Sequence, residues 1–497
     1  MKVARYYQTD AHNAIREGFR RGLRRVLIEL ATGLGKTVIF VLIALMVTAK
    51  GGRVLILVNR DVLVTQALEE LKLNGLFAYR EQADERASLT AQAVVASVQS
   101  LQGKWLERFP VDHFKLVVTD EVHGSAAKTF RVILDHFRNA FHVGVTATAE
   151  RHDKRGLWDG FEEIVYRMPL NNWTDKETGI VTVGGIDDGW LVPFDFYELD
   201  CPVTLDEKLM SHAIIKENEE VFDSGKYLPR LAELATEESQ GRKGLFFLPN
   251  CRVSAQFADM LKARGLNAEH IDSSYMTPAR TSELLEWFKG QETAILCNSD
   301  LLSVGYNQPD INLIGLFRPI ASTPMYKQRL GRGTRPTAKV DDYDTADARK
   351  AAIAASNKPV CKVLNVFWEN GSHNLATPSV LLTDDADERE AIDKARKPGS
   401  TIDLAQLEER LKAKRMEDKD EEMRKFAEKV ANSQAQKKRG GVYIDDILKS
   451  RKFGDGASEA QYRFLYVLAK RDFRKEQLTK SQASRIIGRY KPEKATA

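Results

Sequence analysis

Short, continuous apolar runs alternate with stretches in which apolar positions return every three or four residues. Residues 53–58 (RVLILV), 93–98 (AVVASV), 115–120 (KLVVTD) and 141–148 (FHVGVTAT) are rich in β-branched side chains and bounded by turn or polar residues. Such runs predict strands buried on both faces. Between them, stretches such as VLVTQALEELKLN carry helical spacing, and the alternation predicts a parallel sheet covered by helices. The pattern restarts near residue 225. Residues 244–249 (GLFFLP), AEHID, TAILCN, 311–317 (INLIGLF) and 361–367 (CKVLNVF) read as strands. CRVSAQFADMLKARG and TPARTSELLEWFKG read as helices between them. Two successive α/β units of similar size are therefore expected, with no sequence repeat between them.

Other segments break this pattern. EKLMSHAIIKENEEVFDSGK, at the join, is expected to be helical, and residues 337–358 to be an inserted surface segment. Residues 384–440 carry 15 acidic and 15 basic residues with apolar patches such as Leu404, Leu407 and Leu411. A solvated charged helical linker is the expectation there, with a short coiled-coil contact as the alternative. Residues 441–497 hold 7 acidic and 13 basic residues and an apolar face at helical spacing, predicting a small basic helical module. The longest apolar run, VIFVLIALMVTA, has 12 residues. A membrane span needs about 20, so a buried helix is expected and no membrane partner.

Composition narrows the class. The 497 residues are 43% hydrophobic and 29% charged, which suits large cores in a soluble protein. Cys201, Cys251, Cys297 and Cys361 form no CxxC pair, which argues against a zinc ribbon or a disulfide framework and for a reducing, cytoplasmic compartment. The opening MKVARYYQTD lacks the apolar core of a secretory leader. The net charge of +4 is uneven: +6 lies in residues 441–497 and −2 in residues 1–383. A basic tail on a near-neutral body suits a polyanion, and the plainer alternative is solubility alone.

VLIELATGLGKTVIF is a strand, a glycine loop and an apolar helix. Glycines let backbone N–H groups close around phosphates, and the helix N-terminus adds its positive dipole end. Lys36 would reach the β and γ phosphates of ATP, and the Thr37 hydroxyl would reach Mg²⁺. The strict GxxxxGK[ST] pattern fails at Leu30, which stands at its first glycine; an ordinary strand–turn–helix junction is the alternative. Asp120, ending the strand of KLVVTDEVH, would hold the metal, and Glu121 would orient or deprotonate the attacking water. MYKQRLGRGTRP, residues 325–336, adds a glycine-rich loop with three arginines.

In combination these motifs resemble superfamily 2 helicases of the DEAD/DEAH-box type. ATGLGKT is similar to motif I, DEVH to motif II, TAT (Thr146–Thr148) to motif III and QRLGRGTR to motif VI. Within the superfamily the cadence of RYYQTDA, GWLVPFDFYEL and GLFRPIASTPMYKQRLGRGTRP most resembles the XPB, UvsW and RadD-like DNA translocases. The resemblance covers roughly residues 1 to 375 and implies two tandem RecA-like P-loop lobes with ATP between them and nucleic acid across both. The divisions expected are 1–185 and 186–383 for the lobes, 384–440 for the linker and 441–497 for the C-terminal module.

By resemblance, Gln8 would read the adenine edge. Thr32, Gly33, Gly35, Lys36 and Thr37 would line the phosphates. His123, Thr146 and Thr148 would couple the ATP site to the nucleic-acid track, and Gln328, Arg332 and Arg335 would face the nucleotide from the second lobe. Ala149 stands where motif III often has proline, and Asn307 where motif V usually has aspartate, which weakens the expected ionic link between lobes. Candidate nucleic-acid contacts are Asn59, Arg60, Ser97, Asn250 and Ser303, in loops after strand ends where such folds place ligands; polar strand-end caps are the alternative. The function implied is an ATP-driven helicase or translocase, with DNA favoured over RNA. A motor subunit of a restriction or defence complex and a nucleotide-gated binding module are the other readings. The C-terminal module could add duplex affinity or dock a protein partner.

Overall fold

A computed structural model describes residues 4–58, 61–73, 75–82, 85–120, 127–147, 160–174, 180–203, 227–272, 274–303, 306, 308–368, 375–383, 385–394, 396–436, 456–469 and 472–490. The expected helix at 207–226 lies outside them. Two units separate by compactness, residues 1–407 and 408–497.

The first sheet uses β1 (Arg25–Leu30), β2 (Val54–Val58), β3 (Tyr79–Glu81), β4 (Ala93–Ser97), β5 (Leu116–Asp120), β6 (Phe141–Thr146) and β7 (Glu163–Met168), in the order β3-β4-β2-β5-β6-β1-β7. Every pairing in it is parallel. Helices α1 (Tyr6–Arg20), α2 (Lys36–Thr48), α3 (Asp61–Leu73), α4 (Lys104–Glu107) and α5 (Ala127–His136) belong to this lobe. The apolar run of residues 38–49 forms α2, with Ile39, Phe40, Val41, Ile43 and Ala44 buried. Among the described residues no helix is long and apolar enough to cross a membrane. A small hairpin, β8 (Trp173–Thr174) with β9 (Val181–Thr182), follows the sheet.

The second sheet runs β12-β13-β11-β14-β15-β10-β16. Its strands are β10 (Phe194–Val203), β11 (Lys243–Phe247), β12 (Ala268–His270), β13 (Ala294–Asn298), β14 (Leu313–Leu316), β15 (Cys361–Trp368) and β16 (Ser400–Ile402). Only β16 pairs antiparallel, on β10. Helices α6 (Tyr227–Ser239), α7 (Cys251–Ala263), α8 (Pro278–Gly290), α9 (Thr323–Leu330), α10 (Ala346–Ala354) and α11 (Ala386–Asp393) accompany it. Phe246, Phe257 and Phe317 cluster at the centre of its core.

Two expectations need correction. The stretch from 384 was expected to be linker, yet α11 and β16 belong to the second lobe. The cause is a buried ionic knot. Glu198 of β10 has no exposure, and Arg396 donates to it through Nε at 2.9 Å and through Nη2. Asn365 Nδ2 adds a bond at 3.0 Å. Burial pushes the Glu198 carboxyl up, while Arg396 opposes that rise. Likewise the 337–358 insert is only partly a surface segment, since Arg349 and Lys358 are buried at 3% and 2% exposure.

The second unit contains most of a single 33-residue helix, α12 (Leu404–Gln436), then α13 (Glu459–Ala469) and α14 (Lys480–Tyr490). Leu465, Phe473, Leu478, Ala483 and Ile486 form the small core of its C-terminal part. Tyr462 packs against that core, whereas Tyr466 is 54% exposed.

Arg396→Ala should lower the stability of the second lobe by about 3–5 kcal/mol, because it leaves a buried carboxylate without its partner. Denaturant unfolding measures this; a shift no larger than that of the exposed Arg410→Ala would contradict the role given to the knot.

Candidate functional site

The glycine loop joins β1 to α2. Gly33 (φ 100°) and Gly35 (φ 76°) both take left-handed backbone, which suits glycine. Space demands it too. A Cβ on Gly35 would come within 2.7 Å of Gln8 Nε2, and one on Gly33 within 2.9 Å of Leu191 and 3.0 Å of Thr334 Oγ1. Gly35 stands at the N-cap of α2 with no side chain of its own to cap it, so the positive end of the helix begins at Lys36 and Thr37. Leu34 O accepts from Tyr7 Oη at 2.9 Å and from Gln8 Nε2 at 3.0 Å, while Gln8 Oε1 takes the Arg5 amide at 3.0 Å. Gln8 is thus buried and braces the loop, with its second N–H and remaining lone pairs left for a ligand.

Asp120 ends β5, half-buried, and pairs in register with Val145 of β6. Thr146 ends β6, fully buried, opposite Glu29 of β1. The loop, the acid and Thr146 therefore collect at the carboxyl edge of one parallel sheet, where such folds bind ligands. Glu121, His123, Thr148, Asn59, Arg60 and Asn307 lie outside the described residues.

The second lobe closes the site through α9, capped by Ser322, and the loop after it. Gly331 lies so close to Thr32 that a Cβ would come within 2.3 Å of the Thr32 Cβ. Thr334 Oγ1 donates to Thr32 O at 3.3 Å, and Thr334 O accepts from the Val192 amide at 2.7 Å. Gln328 is buried on α9. The arginines divide their tasks. Arg329 bonds Asp300 at 2.5 Å, beside Arg318. Arg332 Nη1 donates to Tyr306 O at 2.7 Å, so one of its donors serves the protein itself. Arg335 is different. Its Cγ lies 3.6 Å from where a Cβ on Gly33 would stand, and its Nη1 is sealed from solvent with no hydrogen-bond acceptor among the described residues. Burial alone pushes its guanidinium down to about 10. The residue keeps some surface, but this nitrogen does not.

This arrangement fits a polyphosphate. The N-terminus of α2 and two left-handed glycines form one loop, and Arg335, whose buried Nη1 has no acceptor among the described residues, packs its stem on it. Thr37 and Asp120 supply the oxygen donors that a hard divalent cation such as Mg²⁺ takes.

Sequence reasoning missed a second junction. The Trp190 ring lies between the guanidiniums of Arg5, at 4.6 Å, and Arg349, at 4.2 Å. Asp188 accepts from Trp190 Nε1 at 2.8 Å, Arg349 Nη2 at 2.8 Å and the Tyr6 hydroxyl. Arg5 grips Asp341 of the insert with two bonds of 2.7 and 3.0 Å. The only hint was the run of aromatic and charged residues in GWLVPFDFYEL.

Two expected nucleic-acid contacts serve the fold locally. Ser97 is fully buried and donates to Ser100 Oγ at 2.8 Å. Asn250 caps α7 by accepting from the Val253 amide at 2.8 Å. Ser303 ends a short 3₁₀ turn (Leu301–Ser303).

Residues 1–151 match the family described as type III restriction enzyme, res subunit, and residues 226–337 match the helicase conserved C-terminal domain. The chain is 31% identical over 360 residues to the putative ATP-dependent helicase IRC3 of Saccharomyces cerevisiae, covering 67% of this chain and 49% of that protein. It is 28% identical over 376 residues to the type I restriction enzyme EcoAI endonuclease subunit of Escherichia coli, covering 67% and 44%. The chain thus spans about half the length of these relatives. The ATP-dependent type ISP restriction–modification enzyme LlaBIII bound to DNA shares the fold at a TM-score of 0.53 and 16% identity, over 90% of this chain and 36% of that one.

Gly35→Ala should cost about 1–2 kcal/mol or more through its φ and the clash with Gln8. Because the strain falls on the loop, nucleotide affinity measured by titration calorimetry should fall as well. Unchanged melting and unchanged affinity together would refute the steric account.

Proposed function

The chain belongs to the superfamily 2 helicases of the DEAD/DEAH-box type, and on that premise we propose that it hydrolyses ATP between its lobes to move along a nucleic-acid backbone, with DNA as the track. One observation carries the reading: Arg335 of the second lobe packs its stem against the glycine loop of the first, and its buried Nη1 has no acceptor among the described residues. Bound ATP would supply the phosphoanhydride whose cleavage drives the cycle. Lys36 and the first amides of α2 would hold its β and γ phosphates. Thr37 and Asp120 would hold Mg²⁺, and Glu121 would orient the attacking water. Tyr7 and Gln8 keep the loop in shape through Leu34 O. Arg335 balances charge on the γ-phosphate only while the lobes are together, so hydrolysis reports lobe closure. Arg332, anchored on Tyr306 O, holds the neighbouring loop and faces the nucleotide from the second lobe.

DNA is favoured over RNA by the relatives, one of which is by name a restriction endonuclease subunit. The same similarity, with the match to the res subunit family, favours a second reading in which this motor serves a restriction complex. A nuclease or methyltransferase co-purifying from the native source would select it. In the C-terminal module Lys475, Lys480 and Arg485 are exposed, while Arg474 is partly neutralised by Glu459 at 2.6 Å. The module adds duplex affinity by neutralising phosphates.

Hydrolysis should be stimulated more by DNA than by RNA, and Glu121→Gln should abolish it; stimulation by RNA alone would reverse the choice of track. Arg335→Ala should lower the rate by roughly 10³-fold or more while ATP binding stays nearly intact, whereas Lys36→Ala should weaken binding too. A loop that only holds DNA predicts the reverse, normal DNA-free hydrolysis with weaker DNA affinity. Deleting residues 441–497 should flatten the plot of log K against log salt for duplex binding, by a slope of about 0.9 for each phosphate the tail had neutralised; an unchanged slope would refute the tail's role.

A further inference from the structure

Lys358 stands at the end of the insert, 2% exposed, outside every motif recognised in the sequence. Its Nζ donates to two backbone carbonyls, Arg335 O at 2.7 Å and Pro309 O at 2.8 Å. Asp310, the adjacent carboxylate, is bonded at 2.9 Å to another buried lysine, Lys243. Lys358 thus sits in the interior on carbonyl dipoles. Burial pushes its amine down to about 8, and the nearby Arg335 guanidinium pushes the same way. A solvent-exposed lysine would avoid that cost, so the position demands an explanation in geometry.

The geometry is a bracket. Tyr306 O is gripped by Arg332 and Pro309 O by Lys358, so both ends of the motif V stretch hang on cations from the motif VI side. The same ammonium holds the carbonyl of Arg335, the residue whose side-chain stem meets the glycine loop. The stem of Lys358 is itself fixed: its amide donates to Ser356 Oγ at 3.1 Å, and Pro359 after it restricts its backbone.

We propose that Lys358 is a positioning residue that yokes Arg335 to Pro309, so that a shift at Pro309 on engaging nucleic acid moves Arg335 where its stem meets the glycine loop. The proposal rests on the reading of Arg335 as the cation for the γ-phosphate. Lys358 touches no substrate and acts wholly through two carbonyls.

The test is steady-state ATP hydrolysis with and without duplex DNA, for the full chain and for Lys358→Met, Arg335→Lys and the double variant. Lys358→Met should lower the DNA-stimulated kcat by up to roughly 10²-fold, the scale of a misplacement near 1 Å. The KM for ATP should stay nearly unchanged, since the phosphate loop is untouched. The double variant should be no slower than Arg335→Lys, because the lysine acts only through that arginine. Lys358→Arg, which keeps paired donors, should recover part of the rate. Normal stimulation in Lys358→Met, or losses that multiply in the double variant, would overturn the proposal. If Lys358→Met does not fold, Lys358→Gln enters the same cycle under the same two outcomes. An unmodified chain without nucleic-acid-stimulated hydrolysis would sink the motor reading instead, which separates the two failures.

Discussion

A guanidinium nitrogen sealed from water and given no acceptor stays where it is only because everything around it is already packed. Leaving such a donor unmatched costs about 1–3 kcal/mol, and more for a charged group. Arg335 bears that cost at the seam of two lobes. Gly33 and Gly331 make the seam possible, since a methyl group at either would push the loops apart. The cost is local and is relieved by an anion, so a site built in this way favours its ligand before any bond to it is formed.

The rest of the second lobe supports that seam. Thr334 spans it with a bond to Thr32 O and hands its own carbonyl to Val192. Cys361, at the start of β15, fills the space beside Gly333, where a Cβ would come within 2.2 Å of the sulfur. Small residues here are a matter of distance between backbones, and charge enters where a carboxylate or a backbone carbonyl receives it. That division explains why four arginines so close in sequence or space do different things. Arg318 and Arg329 share Asp300, Arg332 holds a carbonyl, and Arg335 faces the loop.

Much of this was legible along the chain, because its signals are local. A buried strand declares itself in five or six residues, and the loop at Gly33–Thr37 is a strand, two glycines and a helix start in sequence. What was not legible depends on distant partners. Phe194–Val203 carries Asp195, Glu198 and Asp200, and their polarity hides a strand inside the second sheet. Glu198 is tolerable there only because Arg396, almost two hundred residues later, reaches it, and the same bond makes a charge-rich stretch part of a lobe. Ser97 and Asn250, expected as track contacts, show the opposite case. Their own neighbours, Ser100 and the first turn of α7, already use their side chains, a competition that spacing does not reveal. Lys358 gave no signal at all, since one lysine in a polar segment looks like any solvated charge.

Trp190 also bears on motion. Its ring, between Arg5 from the start of the chain and Arg349 from the insert, fastens the lobes close beside the glycine seam. The next two residues belong to the seam itself, Leu191 against Gly33 and the Val192 amide on Thr334 O. The ring also packs on Tyr7, whose hydroxyl holds Leu34 O. Clasp and seam are thus one continuous fastening, and parting the loops at Arg335 pulls on the stacked indole from both sides.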